Sequence, residues 1–157
     1  MLSLLIIPGI IASTVLSGWA YFDPESFTQK FTQEQYIRVF LVLNAFILFL
    51  YIVLCIKSKM ITSALWLSLG LLIPGIALVA YSTYLLGQQG TFYGIELGTI
   101  EKRHIDEFPF TLGHPQLKGL ILVILGLWCG FKPEFELTFV TATYVVAIMV
   151  HILFETY

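Results

Sequence analysis

The sequence predicts an all-α integral membrane protein, one domain over residues 1–157, built as a helical bundle of four to five transmembrane helices. Three observations carry that reading. Hydrophobic residues make up 58% of the chain and charged residues only 11%, with a mean hydropathy of +0.89, and a soluble domain this small could not bury so much apolar surface. The apolar residues gather in runs approaching the roughly 20 needed to cross the hydrocarbon core as a helix. The polar residues fall largely between those runs. The net charge of −2 offers no basic field for nucleic acid. Cys55 and Cys129 lie inside apolar runs and read as small buried hydrophobes, not as a disulfide or a metal pair.

In chain order, the first expected span covers residues 2–22. Gly18-Trp19-Ala20 resembles a signal cleavage site, but no positive charge precedes the run and Pro8-Gly9 interrupts it, so a retained span is expected. The connection up to Tyr36 carries two capping-box patterns, Ser26-x-x-Gln29 and Thr32-x-x-Gln35. Phe27 and Phe31, four apart, predict a short interfacial helix there. The second span is expected at 37–56 and the third at 64–86, joined by a tight turn, so these two should be antiparallel neighbours. Pro74 inside the third span predicts a kink.

The next connection is the unusual one. Gly90, Gly94 and Gly98 recur every fourth residue. In a continuing helix they would form a smooth ridge, a face for protein partners; the other reading is a glycine-rich loop. Glu101 to Glu107 then holds the densest charge of the chain. Pro109 and Pro115 each restrict the residue before them, which predicts an extended, stiff piece. The fourth span, 115–131, is short and carries Lys118 near its start; the fifth is expected at 137–154. With five spans, Lys30, Arg38, Lys102, Arg103 and Lys118 share one face, against Lys57, Lys59 and Lys132 on the other. That bias leans the first face towards the cytoplasm-like side.

Chemistry-bearing residues concentrate between Glu107 and Gly119, where a carboxylate, an imidazole and an ammonium lie within about a dozen residues of a span otherwise built for lipid. Such groups at a membrane boundary are costly unless they pair internally or bind something. The sequence shows no Walker loop, no Ser/His/Asp arrangement and no His/Cys cluster with metal spacing. An acid, an imidazole and an amine beside aromatic rings suit a substrate with an apolar tail and a charged head.

Gly87-x-x-Gly90-Thr91-Phe92-x-Gly94-x-x-x-Gly98, then Glu107-Phe108-Pro109-Phe110, then His114-Pro115-Gln116 resembles the phospholipid N-methyltransferases, and the later portion is most similar to the plant-type enzymes. Leu153-Phe154-Glu155 is similar to the acidic end of the last span in that family. The resemblance implies a membrane enzyme that moves methyl groups from S-adenosylmethionine to the amine of an ethanolamine phospholipid. It implies Glu107, His114 and Glu155 as candidate bases, since the lipid ammonium must lose a proton before it can attack. It implies Gly75, His114, Pro115, Lys118 and Glu155 as the cofactor site. Tyr93, Phe108 and Phe110 would form an aromatic wall for a methylated ammonium.

Bland roles stand beside these: His114 as a helix cap, Glu107 as an interfacial charge, Glu155 as a solvated terminus, Lys118 snorkelling to lipid phosphate, and the rings as an aromatic belt. Three positions depart from the family pattern. Ile73-Pro74-Gly75 stands where members carry Gly-x-Gly, Leu117 where they carry Tyr, and Thr156 where a second acid is usual. A different class of function therefore stays open, a non-catalytic membrane subunit that uses this fold to pack within a larger complex. The membrane concerned, of the endoplasmic reticulum or of a mitochondrial or plastid organelle, is left open as well.

Overall fold

A computed structural model describes residues 2–101 and 107–154. The helices are α1 (Ser3–Phe22), α2 (Pro24–Thr28), α3 (Gln33–Lys57), α4 (Leu65–Thr91), α5 (Pro115–Cys129) and α6 (Phe135–Phe154), with single 3₁₀ turns at Thr62–Ala64 and Phe110–Leu112. Among the described residues, α1, α3, α4 and α6 are long and apolar enough to cross a membrane. The 15 residues of α5 rise only about 22 Å, less than the ~30 Å core. Its packing against α4 and α6 holds it in the bundle all the same.

The local signals explain where these helices begin. Thr32 and Gln35 close a complete capping box on α3, which starts the helix at Gln33, four residues before its apolar run. The Ser26 pattern is not used. Asp23 caps α2 instead, accepting from the Ser26 amide at 3.2 Å, with Pro24 preset in the first turn.

The two ends of the bundle are tied differently. At one end the α3–α4 and α5–α6 turns pair, through Ile61 N to Gly130 O at 2.9 Å and Lys132 N to Lys59 O at 2.7 Å. There too the Ser3 amide and hydroxyl donate to Glu136 Oε1 at 2.9 and 2.8 Å, joining the start of α1 to the start of α6. At the other end the Gln33 amide donates to Gln89 O and Phe92 O. Rings from α1, α2, α3 and the chain after α4 pack edge to face there: Trp19 on Phe27, Phe27 on Tyr36, and Phe40 on Phe92, with centroids 5.3–5.5 Å apart.

Between the ends, Ile6, Ile10, Ile47, Leu50, Ile124, Val140 and Ile148 form the apolar core. Lipid cannot drive helices together by hydrophobicity, so close approach and buried polar ties must do it. Tyr51 Oη lies 2.7 Å from Thr141 Oγ1 and donates towards Ile124 O at 3.3 Å, linking α3, α6 and α5. The α4–α5 pair uses small residues: Ser68, Gly75 and Ser82, seven apart, are the buried positions of α4. Gly119 and Gly126 face them, and Ser68 Oγ donates to Gly126 O at 2.7 Å. The outward faces are apolar, with Trp66 82% and Val42 71% exposed, a pattern that only hydrocarbon solvates well.

Pro74 lies inside α4, and the residue with non-helical dihedrals in that helix is Gly87 (φ 69°). Two local expectations are revised. The glycine ridge does not form. The helix ends at Thr91, the Gly94 amide turns back to Gln89 O at 2.9 Å, and Gly98 adopts φ 70°, so Gly90, Gly94 and Gly98 share no helical face. The segment from Glu107 to Gly113 is coiled tightly, not extended, with the Phe110 amide on Glu107 O and the Gly113 amide on Phe110 O, both at 2.9 Å. Residues Lys102 and Arg103, used in the orientation argument, lie outside the described residues.

Candidate active site

A cavity of about 870 Å³ lies between α1, α3, α4, α5 and α6, at the end of the bundle closed by the aromatic cluster. Its wall on α3 runs from Tyr36 to Leu48, about 18 Å along the helix axis. Most of the wall is apolar, and a few polar groups converge at the end near α5.

His114 is one of them. It precedes α5 in a left-handed conformation (φ 49°, ψ 54°) and makes no side-chain cap to the helix, so the capping role expected from its position before a proline is not the one seen. Two residues on, Gln116 lines the same cavity. Its Nε2 donates to Thr83 Oγ1 at 3.2 Å and to Thr91 Oγ1 at 3.1 Å. Thr91 spends its own hydrogen on Gly87 O at 2.8 Å, so the amide nitrogen must face it, and Gln116 Oε1 is left as an acceptor.

From α6 comes a second imidazole, His151. Its Nδ1 lies 3.0 Å from Ala147 O. A carbonyl only accepts, so in the neutral ring Nδ1 carries the hydrogen and Nε2 the lone pair. That tautomer suits a proton acceptor. Glu96, on the segment after α4, adds a carboxylate to the wall. Tyr21, Tyr36, Phe40, Phe92 and Tyr93 supply aromatic faces, with Tyr93 packed 5.9 Å from Tyr21.

A family model described as phospholipid methyltransferase matches residues 63–157, which is α4 through α6 and the connection bearing His114. The chain belongs to the phospholipid methyltransferase family. No curated protein and no solved structure matches the chain. The apolar helices and the family together make this a membrane protein.

The residues expected to form the phospholipid methyltransferase site are only partly brought together. His114 and Tyr93 line the cavity. Glu107 is exposed, Phe108 is 62% exposed and Phe110 is half-buried; none of the three is in the cavity wall. Lys118 folds back and donates to Leu112 O, closing its own loop. Pro115 is buried as the first residue of α5. Gly75 faces α5 rather than the cavity: a Cβ there would lie 2.8 Å from Gly119 O and 2.9 Å from Leu122 Cβ. Glu155 lies outside the described residues.

Sequence reasoning missed His151, Gln116, Glu96 and the polar residues of α1 and α3. For His151 a signal was present, since an ionisable residue inside an apolar span marks a site by default. Gln116 stood within the quoted motif but was given no role.

Proposed function

We propose that this protein transfers a methyl group from S-adenosylmethionine to the amine of an ethanolamine phospholipid. The observation that carries the reading is the cavity itself, a largely apolar chamber with two imidazoles and several hydrogen-bond acceptors at one end, in a chain of the phospholipid methyltransferase family. Its volume falls in the range of cavities that hold small ligands. Its polar groups suit cations, a sulfonium and an ammonium, better than anions.

His114, Gln116 and Glu96 would hold the methyl donor, together with Glu155, the acid expected at the end of the last span. The donor supplies an electrophilic methyl carbon, whose bond to sulfur breaks as the amine nitrogen bonds to it. The amine can attack only with its lone pair free. His151 Nε2 takes the ammonium proton, and the Nδ1 hydrogen bond to Ala147 O fixes the tautomer and orients the ring. Tyr36, Phe40, Phe92 and Tyr93 exclude water and present ring faces to the methylated ammonium that forms. Positioning of the two reactants supplies much of the remaining rate.

The test is direct. Detergent-purified protein is incubated with radiolabelled S-adenosylmethionine and either phosphatidylethanolamine or its monomethyl form, and label is sought in the lipid. The proposal expects transfer, and its loss in His151→Gln with cofactor binding kept. Absence of transfer together with absence of cofactor binding would sink it, and stable co-purification with large partner proteins would then favour a non-catalytic subunit.

A further inference from the structure

The family match begins at residue 63, yet α1 and α3, which precede it, supply a full side of the cavity. Three polar residues stand in that side, Ser13 and Thr14 on α1 and Asn44 on α3. They sit in spans that are otherwise largely apolar. Polar side chains at that depth need partners, and the partners they have define what is left over.

Thr14 Oγ1 donates its hydrogen to Ile10 O at 2.9 Å. Asn44 Nδ2 donates to Phe40 O at 2.8 Å and to Ser13 Oγ at 2.9 Å. Ser13 Oγ donates in turn to Asn44 Oδ1 at 3.2 Å. Every hydrogen on these three side chains is therefore directed into the protein, while lone pairs remain on Thr14 Oγ1 and Asn44 Oδ1. These three side chains accept hydrogen bonds from the cavity and offer it none. Gln116, with both amide hydrogens on threonines, has the same character on the α5 side.

The patch is also near the base. Ser3 meets Glu136 where α1 and α6 begin, so the two helices run parallel. Eleven residues further on, Thr14 is level with Ala147. His151 is then one helical turn, about 5 Å, beyond it.

We propose that Ser13, Thr14 and Asn44 count the N–H bonds on the acceptor amine, so that the protein prefers unmethylated ethanolamine lipid over its mono- and dimethylated forms. This rests on the methyl-transfer reading above. Each methyl already present replaces a donor with a group that cannot satisfy these lone pairs, and a buried acceptor without a partner is costly. The α1–α3 side thereby decides which methylation step this chain catalyses, while the matched segment carries the transfer.

The experiment measures kcat/KM for phosphatidylethanolamine and for its monomethyl and dimethyl forms, with matched acyl chains and labelled S-adenosylmethionine. The wild type is expected to rank them in that order. Asn44→Leu and Thr14→Val should each lower the ratio of unmethylated to dimethyl acceptor about tenfold, the equivalent of roughly 1.4 kcal/mol. The KM for the methyl donor should hold. Asn44→Asp, which keeps an acceptor oxygen, should keep the ranking. A purely structural pair would depress all three lipids in parallel, and that result, or a wild type indifferent to methylation state, overturns the proposal while leaving methyl transfer intact. A wild type that labels no lipid overturns both.

Discussion

Gly75→Ala is the sharpest probe of how this bundle is built, because sequence and structure assign that residue opposite roles. By its place in the family pattern Gly75 belongs to the cofactor site. In the fold it is where α4 and α5 touch backbone to backbone. A Cβ on Gly75 would lie 2.8 Å from Gly119 O and 2.9 Å from Leu122 Cβ; a Cβ on Gly119 would lie 2.8 Å from Gly75 O and 2.9 Å from Val79 Cγ2. Contacts to backbone cannot be relieved by a rotamer change, so the helices must separate by about half an ångström to restore ordinary carbon–oxygen spacing. Overpacking of this kind costs about 1–3 kcal/mol. It would also loosen Ser68 Oγ from Gly126 O, now at 2.7 Å.

The assay is unfolding of each variant in detergent, followed by circular dichroism, beside direct measurement of S-adenosylmethionine binding. Gly75→Ala and Gly119→Ala should each destabilise by that amount. The double variant should cost less than the sum, since the first separation makes room for the second methyl. If Gly75→Ala leaves stability within about 0.5 kcal/mol of wild type and abolishes cofactor binding, the packing argument is wrong and the sequence-based role is right.

Other outcomes follow from the same geometry. His151→Gln should lower methyl transfer at least about 100-fold, the ordinary scale of a lost general base, with cofactor affinity unchanged in equilibrium binding. Tyr51→Phe removes the hydroxyl that ties α3 to Thr141 and Ile124 O. A double-mutant cycle with Thr141→Val should give a coupling of about 0.6 kcal/mol, as for other interhelical bonds in membranes. Thr32→Ala breaks the capping box, in which Thr32 Oγ1 accepts from the Gln35 amide at 3.2 Å, and should cost about 1 kcal/mol. Hydrogen exchange should accelerate over the first turn of α3 and leave the α6 core unaffected. Glu107→Gln, on an exposed residue away from the cavity, should retain transfer.

The candidate site was legible only in part. His114 and Tyr93 stood in a connection whose charge and prolines drew attention, and both reach the cavity. Phe108, Phe110 and Lys118 stood in the same connection and do not. The difference lies in backbone conformation that the letters do not encode, the turn from Glu107 to Gly113 and the positive φ of Tyr93, Gly113 and His114. Ser13, Asn44 and Gln116 look unremarkable as single letters. Their meaning comes from which hydrogens are already committed to partners, and Ser13 and Asn44 are 31 residues apart.

Sequence alone determined the class of this protein, the Thr32–Gln35 start of α3 and its family kinship. These follow from quantities local to a segment: bilayer thickness against run length, the reach of a side chain to its own helix start, and the order of residues in a motif. Only the tertiary structure decided that Gly75 meets Gly119, that Gly94 and Gly98 lie in turns instead of on a ridge, and that His151 shares a cavity with His114. Each of those depends on which face of one helix meets which face of another. In a bundle apolar on every side, hydropathy gives no rotation angle, and close backbone approach and buried hydrogen bonds have to choose it.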